Sequence, residues 1–313
     1  MKNIVLFLVL AVSFALNAMQ SESAAENFRD ACRVNYVYSK SLLGETRQQH
    51  CEKNQEQIRP CIAQRVETIL VLGPAPGYDL PIEFSSRCES LIFLGGGMGE
   101  FENEWEKHEK VSSNKWPTRL YKTVDLTGGF YDLMASQKMA SILFKIFKNF
   151  LDTGKLDYSE MERYLEANLS LDLAQYQPDV LISSLVTSQL YGLAHQAFVE
   201  LAFKQAWQLC NSKEGTMDKA CMNRLLPPLQ EFHRKNAAII ERTYYKGILG
   251  AQASWVYFSD TYTQDGLGID QKELQSFLNA MQEKYTFEFG ASAWEFPCAM
   301  GNMPVTWYRF RKK

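Results

Sequence analysis

The stretch Ile69-Leu70-Val71-Leu72, apolar at every position, ends abruptly in Gly73-Pro74-Ala75-Pro76-Gly77. No other junction limits the fold as strongly. A strand that lacks polar alternation must be covered on both faces, so it belongs inside a sheet flanked by helices and not in a surface hairpin. Similar runs recur at Leu91 to Leu94, Tyr121 to Val124, Val180 to Ser183 and Trp255 to Phe258, each separated from the next by helical material. That alternation predicts an α/β fold, a doubly wound and mostly parallel sheet.

The clearest helix spans Phe130 to Leu151, where Met134, Met139, Ile142, Leu143, Ile146, Phe147 and Phe150 recur at three- and four-residue spacing. Further helices are expected near Leu190 to Cys210 and from Leu229 to Tyr245, the second starting after Pro227-Pro228. Asp270 with Glu273 forms a capping box for a helix through Met281. The chain ends on two strands, Tyr285 to Phe289 and Val305 to Phe310, with only a loop between them, so they are expected to be antiparallel neighbours. The basic end Arg309 to Lys313 reads as a solvated tail.

The N-terminus has a different character. Lys2 precedes the apolar run Ile4 to Leu16, which gives way to Asn17-Ala18 and a polar stretch from Gln20. This is the order of a secretory signal, cleaved after Ala18 or as late as Ala25, and it predicts export with no stable membrane anchor left behind. An uncleaved N-terminal anchor is the alternative. The expected organisation is a signal over 1–18, a helical cap over 19–65, and a main domain over 66–313 carrying a helical insertion at about 201–226.

Seven cysteines suit an oxidising compartment, and Cys51/Cys61 and Cys210/Cys221 are each close enough in sequence to close a short loop. No spacing matches a zinc site, and no metal is expected. A net charge of -3 gives no reason to expect nucleic acid as an obligatory partner. Gly95-Gly96-Gly97-Met98-Gly99 lacks the Lys-Ser/Thr of a phosphate-binding loop.

Ile69 to Leu80 resembles the first strand and glycine-rich loop of the class I S-adenosylmethionine methyltransferases. Val124-Asp125-Leu126, Asp179 to Leu185 and Phe258-Ser259-Asp260 resemble the ends of that family's third, fourth and fifth strands. The resemblance implies a seven-stranded sheet with the last strand antiparallel and inserted beside the fifth. It also implies an S-adenosylmethionine site lined by Gly73, Ala75, Gly77, Asp79, Asp125 and Ser183, with Ser184 and Asp260 toward a substrate.

The departures from the pattern concern binding. Val71 and Ala75 replace an acidic residue and a glycine, and the second strand ends in Leu94-Gly95-Gly96-Gly97 where the family places a carboxylate for the ribose. Losing such a bidentate contact costs roughly 2 to 3 kcal/mol; Glu100 or Glu102 could substitute for it. Export also conflicts with a donor made in the cytosol. The chain could act inside a host cell, face the cytosol from an anchor, or be an inactive methyltransferase-like module that binds another ligand or a partner.

Overall fold

The computed structural model describes residues 51–313 except 63, 75–79, 97, 110–116, 185, 212–217, 262–269 and 296–301. The expected signal and most of the expected cap therefore lie outside the described residues. Seven strands form one sheet: β1 (Val66–Leu72), β2 (Cys88–Gly95), β3 (Thr118–Thr123), β4 (Val180–Ser184), β5 (Trp255–Thr261), β6 (Tyr285–Glu295) and β7 (Asn302–Lys312). Their order is β3-β2-β1-β4-β5-β7-β6. β1 to β5 pair in parallel, while β7 runs antiparallel between β5 and β6, as expected.

Helices cover both faces. On one lie α2 (Phe130–Ala135), α3 (Gln137–Thr153), α4 (Ser159–Asn168), α5 (Val186–Cys210), α6 (Lys219–Ala251) and α7 (Gln271–Lys284), packed on Leu70, Leu72, Leu181, Val256 and Phe258. On the other lie α1 (Met98–Glu109) and the helical residues 51–58 with the 3-10 turn Arg59–Ile62, packed on Ile69, Val71, Phe93, Ile182 and Tyr257. Strand residues alternate between the two cores, which is why an unbroken apolar run was needed.

The connection from β1 to β2 is short. It has 15 residues (73–87), and its described part holds only the 3-10 turn Ile82–Ser86. A return along a strand of this length covers about 23 Å. Fifteen residues of α-helix rise only about 22 Å, leaving nothing for the turns. Bulky side chains occupy that layer instead: Phe84, Phe93 and Trp105 are fully buried, and Phe101 is nearly so. Phe93 lies 4.9 Å from the Phe101 ring and 5.3 Å from that of Trp105.

Several expectations are corrected. The helix expected over Phe130 to Leu151 is two helices, because Ser136 turns to an extended conformation and its hydroxyl caps the Met139 N–H at 3.1 Å. The helix expected to start at Leu229 starts at Lys219 and runs through both prolines. Asp218 caps it, and the Cys210–Cys221 disulfide ties its first turn to the end of α5. Cys51 and Cys61 are both buried and are not bonded to each other. They are ten residues apart on one helical run, roughly 15 Å along its axis, beyond bonding reach.

The basic C-terminus is not a solvated tail. Arg309 to Lys312 belong to β7, Phe310 is fully buried, and Lys313 Nζ donates to the carbonyls of Gln282 and Glu283 at the end of α7. Among the described residues, no helix is long and apolar enough to cross a membrane, and no group of His, Cys, Asp and Glu is arranged to hold a metal.

Candidate functional site

In an open α/β sheet, ligands bind beyond the carboxyl ends of the parallel strands. Here that edge is formed by Gly73 after β1, Gly95 at the end of β2, Asp125 after β3, Ser183 and Ser184 at the end of β4, and Ser259 and Asp260 in β5. Ala75, Gly77 and Asp79 lie outside the described residues, as does the side chain of Glu100. Glu102 sits on α1, partly exposed.

Gly73 has a left-handed backbone, φ 56°, and its N–H donates to the Leu94 carbonyl at 2.7 Å. Only glycine adopts this conformation without strain. A Cβ placed on it would stand 2.9 Å from Cγ2 of Val186, the first residue of α5, which is buried. The open face of the glycine is thus already covered by the chain itself. A Cβ on Gly95 would meet Met98 Cε at 3.2 Å and the Gly73 Cα at 3.4 Å. A methionine side chain and the backbone of the first turn thus stand against the end of β2.

Asp125 points inward. Its carboxylate accepts hydrogen bonds from the Thr127 N–H and hydroxyl and a longer one from the Tyr131 N–H, and Thr127 Oγ1 accepts from the Phe130 N–H. Together these groups cap α2. Burial raises the Asp125 carboxyl above its usual range despite the three donors.

Ser183 and Ser184 are adjacent, so they face opposite sides of the sheet. The Ser183 and Tyr244 hydroxyls share a hydrogen bond of 2.8 Å, with both residues buried. Burial, and secondarily the negative charge of Asp260, push the Tyr244 phenol upward against that bond. On the same side Glu241, buried in α6, accepts the Asp270 N–H at 2.9 Å. Burial pushes its carboxyl up to about 8, and the negative charges of Asp260, Asp270 and Glu273 add to the effect. The capping box at Asp270 is therefore shared out: Glu241 takes the Asp270 N–H, while Glu273 pairs with Arg242 at 2.7 Å.

Across the sheet, Ser184 Oγ accepts Asn54 Nδ2 at 2.9 Å and Ser259 Oγ at 3.3 Å, and the Tyr257 hydroxyl donates to Asn54 Oδ1 at 3.1 Å. All four residues are buried. Asn54, from the helical segment 51–58, thus plugs the end of β4 from below. The cavity beside it, lined by Gly73, Pro74, Phe93, Phe101, Trp105 and Ser184, holds no more than about one water molecule. It reaches Ser184 but not Ser183, Asp125 or Asp260. We expect Asn54→Ala to cost about 1–3 kcal/mol, because it removes a hydrogen-bond partner from two buried hydroxyls, those of Ser184 and Tyr257. Urea unfolding should show a smaller loss when Ser184→Ala is already present, and additive losses would mean the two groups are independent.

Asn54, Val186, Glu241 and Tyr244 escaped the sequence reading. Glu241 carried a signal: it stands in the stripe Ala237, Ile240, Tyr244, Ile248, where an acidic residue at core spacing marks a buried carboxylate.

No family model matches the sequence, and comparison with curated proteins yields no match. Similarities appear among solved structures. The N-methyltransferase NodS of Bradyrhizobium japonicum WM9, in complex with S-adenosyl-l-homocysteine, is 10% identical with a TM-score of 0.41, covering 88% of this chain and 97% of its own. The magnesium protoporphyrin IX methyltransferase ChlM of Synechocystis PCC 6803, with bound SAM, is 8% identical with a TM-score of 0.42, covering 94% and 99%. The methyltransferase domain of bacterial CtHen1 is 9% identical with a TM-score of 0.36, covering 84% and 98%. The fold assignment rests on the strand order and register of the chain itself.

Proposed function

We propose that this chain is an exported methyltransferase-like domain whose cofactor cleft is filled by its own residues, and that it works as a binding or interaction module without transferring a methyl group. One observation carries the reading: the space that Gly73 leaves by lacking a side chain is taken by Val186. In a cofactor-binding loop that space belongs to the ligand. The missing carboxylate after β2 and the turned-in Asp125 point the same way. The export part of the reading draws on the Cys210–Cys221 disulfide.

Methyl transfer from a sulfonium needs chiefly positioning, so an open, preformed cleft is its first requirement. Calorimetry on the folded, disulfide-bonded chain should record no heat with S-adenosylmethionine or its demethylated product up to about 1 mM, a ceiling of about -4 kcal/mol. Saturable binding of either ligand, abolished by Gly73→Leu, would replace this reading with that of a cofactor-binding methyltransferase. In that case Val186 turns aside on binding, and Gly73, Ala75, Gly77, Asp79, Asp125 and Ser183 become the residues to test, with Ser184 and Asp260 for the substrate.

A further inference from the structure

The sheet ends on β6, an 11-residue strand, and among the described residues β7 is its only strand neighbour. Long edge strands usually carry a lysine, a proline or a bulge that blocks pairing with another chain. The sequence of β6, Tyr-Thr-Phe-Glu-Phe-Gly-Ala-Ser-Ala-Trp-Glu, has neither lysine nor proline, and its register with β7 runs without interruption from Tyr285 to Glu295. Phe287 and Phe289 stand on one face, 37% and 67% exposed, stacked 6.0 Å apart and continuing onto Phe310 and Tyr308. On that face α7 reaches Phe310 through Phe277, with the rings 6.1 Å apart, and leaves Phe289 open. On the other face the centre of the strand is filled: a Cβ on Gly290 would lie 2.4 Å from the Trp307 ring.

We propose that β6 pairs antiparallel with β6 of a second copy, about a two-fold axis at Gly290, joining the two sheets into one. The register follows from the strand's own sequence. Gly290 is the midpoint of Tyr285–Glu295, so only a two-fold centred there pairs every residue of the strand. In that register Phe289 lies opposite the partner's Ala291 and Phe287 opposite the partner's Ala293, each large ring over a small neighbour. Glu288 lies opposite the partner's Ser292, and no two like charges meet. Centring on Phe289 sets the two most exposed rings against each other, and centring on Ala291 sets Phe287 against the partner's Glu295. Both of these registers also shorten the ladder.

A single strand pair with flanking rings lies at the small end of stable interfaces, so the dimer should form at about 100 μM and dissociate on dilution. Sedimentation of the purified, disulfide-bonded chain tests this. Phe289→Lys should give a monomer with an unchanged circular dichroism spectrum, while Leu120→Lys on the opposite edge strand should leave the dimer intact. Oxidising an equal mixture of Phe289→Cys and Ala291→Cys chains should yield the cross-linked heterodimer, with little cross-linking in either variant alone. A monomer at about 100 μM, a dimer that survives Phe289→Lys, or cross-linking chiefly between like positions would each overturn the proposal.

Discussion

Trp105→Ala should destabilise the protein by about 3–5 kcal/mol, the range for removing a large buried aromatic side chain. The ring is fully buried, lies 5.3 Å from Phe93 and 5.8 Å from Phe101, and belongs to the core on that face of the sheet. Nothing close by can collapse into the gap, because the strand beneath, β2, is held by β1 and β3 on either side. Guanidinium unfolding should therefore show a large fall in midpoint for Trp105→Ala. Trp207→Ala, at a site 38% exposed on α5, should cost well under about 1 kcal/mol. Comparable losses at the two positions would show that the aromatic layer is not what closes this face of the sheet.

The second large effect depends on pH. Glu241 holds its proton up to about pH 8 in the folded chain, whereas the free carboxyl loses it near 4.5. The folded state therefore binds more protons than the unfolded state between these values, and stability falls as pH rises through that window. The contribution is fully present below about pH 4.5 and lost above about pH 8. Each tenfold change in proton affinity is worth about 1.4 kcal/mol, so the penalty at pH 8 amounts to a few kcal/mol. Glu241→Gln keeps an acceptor for the Asp270 N–H and removes the titration. Its melting temperature should match the parent near pH 4 and exceed it by several degrees at pH 8. Parallel curves for the two proteins across that range would show that Glu241 is ionised in the fold.

Where the sequence reading succeeded, the signal was local. The runs at Leu70, Leu91, Leu181 and Val256 had to be interior strands, because apolar residues at every position satisfy two cores at once. The last two strands were separated by a loop with no helical pattern to cross over, so their antiparallel pairing followed. Cys210 and Cys221 bond because the end of α5 and the first turn of α6 lie together, with the Asp218 N–H donating to the Cys210 carbonyl. Cys51 and Cys61 had much the same spacing but lie along one helical run, which holds them apart.

The glycines after β1 show where local signals stop. Gly73 does adopt the left-handed turn that its position suggests, so the sequence was a sound guide to the backbone. It could not show what fills the space beside that turn. Val186 is 113 positions away and Asn54 is 130 from Ser184; which distant side chain reaches a strand end depends on how the helices pack. The sequence alone therefore determined the sheet, its two cores and the turn at the first strand, all of which follow from periodicity and backbone sterics within a few residues. Only the tertiary structure decided that Val186 stands against Gly73 and that Glu241 is buried among carboxylates. Both depend on contacts between segments far apart in the chain, which no local pattern encodes.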